Sequence, residues 1–135
     1  MLNILVVDDS LIIRKNLKKY ISALGHNVAG EAKTGAQAIE ACKTLKPDLI
    51  TMDITMPDMD GIVAVQKIKE FDDAVNIIMI TSHGQEEMIV SSLKAGAKGY
   101  ILKPVSEDKL ANAIAAIYED PSNEGDHFDD DLIED

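Results

Sequence analysis

A second cysteine is missing from this 135-residue chain, so Cys42 can form no internal disulfide. It lies in AQAIEACKTL, where Ala38 and Cys42 share a helical face, and reads as a small core thiol. Also missing is any apolar stretch near the roughly 18 residues a membrane span needs, and no apolar segment of the secretory type opens the chain. A soluble, cytoplasmic protein without membrane insertion is expected. No basic excess exists: the net charge is -11, and residues 119 to 135 hold nine acidic groups and no Lys or Arg. Residues 1 to 118 are nearly balanced, with 13 basic and 15 acidic groups, which argues against binding nucleic acid by charge. No Cys/His cluster points to zinc; His26, His83 and His127 are scattered and read as surface or loop residues. There is no internal repeat.

What is present is alternation. Strand-like runs occur at Asn3 to Asp8, Asn27 to Ala32, Asp48 to Asp53, Asn76 to Thr81 and Gly99 to Lys103. Helical periodicity fills the intervals, as in Ile13, Leu17, Tyr20, Ile21 and Leu24, or Leu110, Ala113, Ile114 and Ile117. Gly25 and Gly96 stand where left-handed caps end helices, while Ser10, Thr34 and Ser106 stand where side-chain oxygens begin them. Such βα alternation predicts an α/β fold: a doubly wound, five-stranded parallel sheet with right-handed crossovers and helices on both faces. The continuous apolar runs ILVV and NIIMI suit strands covered on both sides. One domain, residues 1 to 119, is expected, followed by a flexible acidic tail over 120 to 135.

The stretch DLITMDITMPDMDG ends a strand in an aspartate and then breaks into turn residues. In open α/β sheets the carboxyl ends of the strands form the binding crevice. Those ends carry Asp8 and Asp9, Asp53, Thr81 and Lys103. If the first and third strands are neighbours, three carboxylates crowd one pocket and need a cation. Mg²⁺, held by oxygen ligands beside a phosphate, fits that set. Phosphoryl transfer follows: Asp53 as nucleophile, Mg²⁺ and Lys103 neutralising the equatorial oxygens, and Thr81 hydrogen-bonding one of them.

The motifs VVDDS (6 to 10), MDITMPDMDG (52 to 61), MITSHG (79 to 84) and GYILKP (99 to 104) together resemble the CheY-like response-regulator receiver domain of bacterial two-component signalling, over residues 2 to 118. The resemblance implies the flavodoxin-like strand order 2-1-3-4-5. It implies that Asp53 is the phosphorylation site, and that Mg²⁺ is held by Asp9, with Asp8 nearby, by Asp53 and by the Thr55 carbonyl. It further implies that Lys103 contacts the phosphoryl group, that the Lys103–Pro104 bond is cis, and that Thr81 and Tyr100 form the switch. The family's output surface corresponds to residues 85 to 95, 99 to 102 and 107 to 118. Met88 and Ile89 lie there, but helical spacing turns them toward the core. His83, two residues after the switch Thr81, could touch attacking water or cap a loop, and the loop reading is favoured.

The function implied is that of a single-domain, monomeric response regulator. It would take a phosphoryl group from a histidine kinase and switch its binding to a protein target, plausibly in chemotaxis, without acting as an enzyme on a separate substrate. A phosphorelay intermediate or phosphate sink is the alternative within signalling. A Mg²⁺-dependent aspartyl-phosphate phosphohydrolase would usually carry an aspartate where Thr55 stands. In a flavin carrier, DDSLII would repel the phosphate unless a metal intervened, and no Gly- or Thr-rich phosphate cradle stands there. The tail allows three readings: an inert solubilising extension, the start of a linker, or a binding segment anchored by Phe128, Leu132 and Ile133.

Overall fold

A computed structural model describes residues 1–118. The expected acidic tail, its boundary near Glu119, His127 and the anchors Phe128, Leu132 and Ile133 lie outside the described residues. Five strands, β1 (Asn3–Val7), β2 (Asn27–Ala32), β3 (Leu49–Asp53), β4 (Asn76–Thr81) and β5 (Gly99–Leu102), alternate with five helices. These are α1 (Leu11–Ala23), α2 (Gly35–Leu45), α3 (Gly61–Phe71), α4 (Glu86–Ala95) and α5 (Glu107–Tyr118). The strands form one parallel sheet in the order β2-β1-β3-β4-β5. Asp8, Asp48 and Lys103, read above as strand residues, each fall one position outside the ladder.

Strand alternation divides the core in two. Leu5, Val7, Ile50, Met52, Ile77 and Met79 pack against α2 and α3, where Ala38, Cys42, Ala64, Val65 and Ile68 are buried. Ile4, Val6, Leu49, Ile78, Ile80 and Ile101 face the other way, onto Leu17 and Ile21 of α1 and Leu110 and Ile114 of α5. Each large side chain fully buried this way contributes about 1.5–3 kcal/mol. That is why ILVV (residues 4–7) and IIMI (residues 77–80) are apolar without interruption.

The expected caps are present. Ser10 Oγ accepts from the Ile13 N–H at 3.3 Å, Thr34 Oγ1 from Gln37 at 3.1 Å, and Ser106 Oγ from Lys109 at 3.1 Å. Gly25 and Gly96 adopt φ of 86° and 121°, a region open to glycine. Cys42 is buried, as expected of a core thiol.

Candidate functional site

The register of β1 against β3 builds the site. Val7 pairs with Met52, so the next residues, Asp8 and Asp53, emerge side by side from the sheet. Because β2 lies on the far side of β1, this is also where strand order reverses, the crevice such sheets use for ligands. Ligand oxygens of Asp8, Asp9 and Asp53 lie within 4.8 Å of one another. Asp8 and Asp53 are buried, whereas Asp9 is exposed at the rim.

Lys103, brought in at the end of β5, is the counter-charge. Its Nζ lies 3.1 Å from Asp8 Oδ2 and 3.5 Å from Asp53 Oδ1. Its backbone N–H donates to the Thr81 carbonyl at 2.7 Å, which fixes the chain just before the side chain departs. The Lys103–Pro104 bond is cis, as the resemblance implied.

One cation does not offset two buried carboxylates. Burial first, then the neighbouring Asp8 charge, pushes the Asp53 carboxyl up to about 6, with Lys103 pulling the other way. Asp8 Oδ1 accepts from the Ser10 N–H at 2.9 Å, but Asp8 Oδ2 is buried with no aligned hydrogen-bond donor. A buried carboxylate oxygen that lacks an aligned donor and faces two other carboxylates, with one ammonium shared among them, suits a hard divalent cation such as Mg²⁺. Thr55 is exposed in the loop that follows β3.

Thr81 is buried at the end of β4, and its Oγ1 accepts from the His83 N–H at 3.1 Å. The His83 carbonyl in turn accepts from the half-buried Tyr100 hydroxyl. Thr81 and Tyr100 therefore hold the same residue from two sides, and His83 is indeed a loop residue. Met88 and Ile89 are half-buried, with Met88 packed on the core. The exposed apolar side chains nearby are Val90, Leu93 and Leu102.

Three supports escaped sequence reasoning. Arg14 donates to the Asp8 carbonyl at 2.8 Å and pairs with Glu31 at 2.8 Å; the Glu31 carboxyl, also bonded to Lys18, is held below the usual range. Lys109 Nζ donates to the carbonyls of Leu102 and Pro104 at 3.1 and 3.0 Å, on either side of Lys103. Asp58 accepts from the N–H groups of Gly35 and Ala36 at 2.8 and 2.9 Å. Sequence spacing gave one weak signal, a carboxylate in the turn-rich PDMDG; nothing in it named the partners. A groove of about 420 Å³ opens beside the pocket, lined by Ile13, Asn16, Ser82, Lys103, Pro104 and Val105.

Residues 4–115 match the family model described as the response regulator receiver domain. The chemotaxis protein CheY of Bacillus subtilis is 46% identical over 111 residues, which is 82% of this chain and 92% of that protein. CheY of Thermotoga maritima is 44% identical, with the same coverage of 82% and 92%. Among solved structures, the CheX–CheY–BeF3–Mg²⁺ complex of Borrelia burgdorferi matches with a TM-score of 0.85 at 35% identity, covering 87% of this chain and 90% of that one.

Proposed function

The chain belongs to the response-regulator receiver family, and from that premise we propose that Asp53 accepts a single phosphoryl group from a histidine kinase, with Mg²⁺ bound by the carboxylate cluster. The observation that carries this reading is the side-by-side emergence of Asp8 and Asp53, with Lys103 reaching both.

With its pKa near 6, Asp53 is mostly ionised at neutral pH and available to attack phosphorus. One carboxylate oxygen forms the new bond to phosphorus as the bond to the donor imidazole nitrogen breaks, and the imidazole leaves with the electron pair. Asp8, Asp9, Asp53 and the Thr55 carbonyl are the groups that would hold the cation. Bound Mg²⁺ supplies charge neutralisation across the phosphoryl oxygens. Lys103, freed from its carboxylate partners, pairs with one of those oxygens. The Thr81 hydroxyl gives up the His83 N–H to donate to another. Because Tyr100 holds the same His83, the exchange is felt at the α4–β5 face.

That face carries the exposed Val90, Leu93 and Leu102, which support a protein target. Leu11 and Ile12, exposed beside Asp9, support approach of the kinase from the α1 side. The relatives named chemotaxis proteins favour a role in chemotaxis. No described helix is long and apolar enough to cross a membrane.

Intact-mass spectrometry after incubation with acetyl phosphate tests the reading. One phosphoryl gain is expected, requiring both Mg²⁺ and Asp53; a gain that survives Asp53→Asn would sink it.

A further inference from the structure

The loop from Ile54 to Asp60 leaves the pocket at Asp53, passes Thr55 and returns at α3. It is gripped at two points. At the near end the Gly61 N–H donates to the Ile54 carbonyl at 2.6 Å, and a Cβ on Gly61 would lie 2.1 Å from the Asp53 carbonyl oxygen. At the far end Asp58 reaches across to α2, with one oxygen on the Gly35 N–H at 2.8 Å and the other on Ala36 at 2.9 Å. Met59 packs beside that latch so closely that a Cβ on Gly35 would sit 2.3 Å from Met59 Cγ.

Helix α2 already has a cap of its own, the Thr34 hydroxyl on the Gln37 N–H. Asp58 takes the two remaining N–H groups of its first turn, where the helix dipole favours a carboxylate. Those N–H groups hold its carboxyl below the usual range. The bond is two-pronged and spans separate elements, so it fixes the loop as well as the helix.

We propose that Asp58 is a positioning residue for the cation. It touches neither the carboxylates nor the donor, but anchors the far end of the loop so that the Thr55 carbonyl is in place before the ion arrives. Without the anchor, the loop would have to be ordered by the ion itself, weakening binding. This rests on the receiver reading and adds to it a link between the pocket and α2.

The experiment compares Asp58→Ala with Thr34→Ala. Both remove capping bonds from α2, but only the first frees the loop. Mg²⁺ affinity of the full chain is measured by titration calorimetry, with unfolding curves of the metal-free proteins alongside. Asp58→Ala is expected to raise the Mg²⁺ Kd about tenfold, the low end for residues that orient ligands, and Thr34→Ala to leave it within about twofold. Phosphorylation by acetyl phosphate, slowed in Asp58→Ala at low Mg²⁺, is expected to recover at saturating Mg²⁺. Equal Mg²⁺ affinity in Asp58→Ala and wild type, or equal weakening in both variants, overturns the proposal. If Asp58→Ala does not fold, amide exchange at Gly35 and Ala36 of the wild type decides. Coupling is reciprocal, so Mg²⁺ must slow it several-fold, and unchanged exchange overturns the proposal. Loss of Mg²⁺-dependent phosphorylation in the wild type would instead overturn the receiver reading, independently of Asp58.

Discussion

The Lys103 ammonium lies 3.1 Å from Asp8 Oδ2, inside ion-pair distance but without hydrogen-bond alignment. The same ammonium is 3.5 Å from Asp53, so it is shared, and neither carboxylate is fully matched. Lys103→Met leaves two buried carboxylates uncompensated. In chelator at pH 7.5 this substitution is expected to destabilise the fold by about 1–3 kcal/mol and to raise the Asp53 pKa further. Urea unfolding and carboxyl NMR titration measure the two effects.

Asp53 makes the metal-free protein sensitive to pH. Between the ordinary carboxylate value of 3.8 and about 6, the folded chain holds the Asp53 proton more tightly than the unfolded chain does. This group therefore favours folding at low pH, and that contribution is lost as the pH rises through about 6. Asp53→Asn is expected to be more stable than wild type by about 1–2 kcal/mol at pH 7.5 in chelator, a range reduced for screening by nearby solvent. The gap is expected to close toward pH 4. A gap independent of pH would contradict the burial of charge at this position.

The alternation of strands and helices, five of the caps and the four strand ends of the pocket were legible in the sequence, because each rests on local chemistry; the Asp60 cap of α3 and the left-handed Lys46 after α2 were not read. Apolar runs report two-sided burial, and Ser10 or Thr34 caps the turn that follows it. The ladder ends were misread by one residue at Asp8, Asp48 and Lys103, because strand boundaries are set by pairing that local sequence does not report. Arg14, Asp58 and Lys109 were not legible as site supports. On a helix or in a turn, a charged residue looks like any solvated one, and nothing in its spacing names the backbone carbonyls or N–H groups that the fold sets beside it.

Gly61 illustrates how little room the loop has. A methyl group there meets the Asp53 carbonyl oxygen at 2.1 Å, an encounter with backbone that no rotamer relieves. Gly61→Ala is expected to cost about 2 kcal/mol or more in urea unfolding and to slow acetyl-phosphate labelling of Asp53.

Thr51 runs in the opposite sense. Its hydroxyl is buried in β3 beside Val6 and Ile78 with no hydrogen-bond partner. Thr51→Val keeps the shape and removes the unsatisfied group, so stabilisation by about 1 kcal/mol is expected, read from the thermal midpoint.

The pocket gathers its charges from distant parts of the sequence: Asp8 follows β1, and Lys103 follows β5. An N-terminal fragment, or a chain still being synthesised, has the aspartates without the lysine and without the edge strand that carries it. On the proposed reading, competence to accept the phosphoryl group is withheld until β5 has joined the sheet.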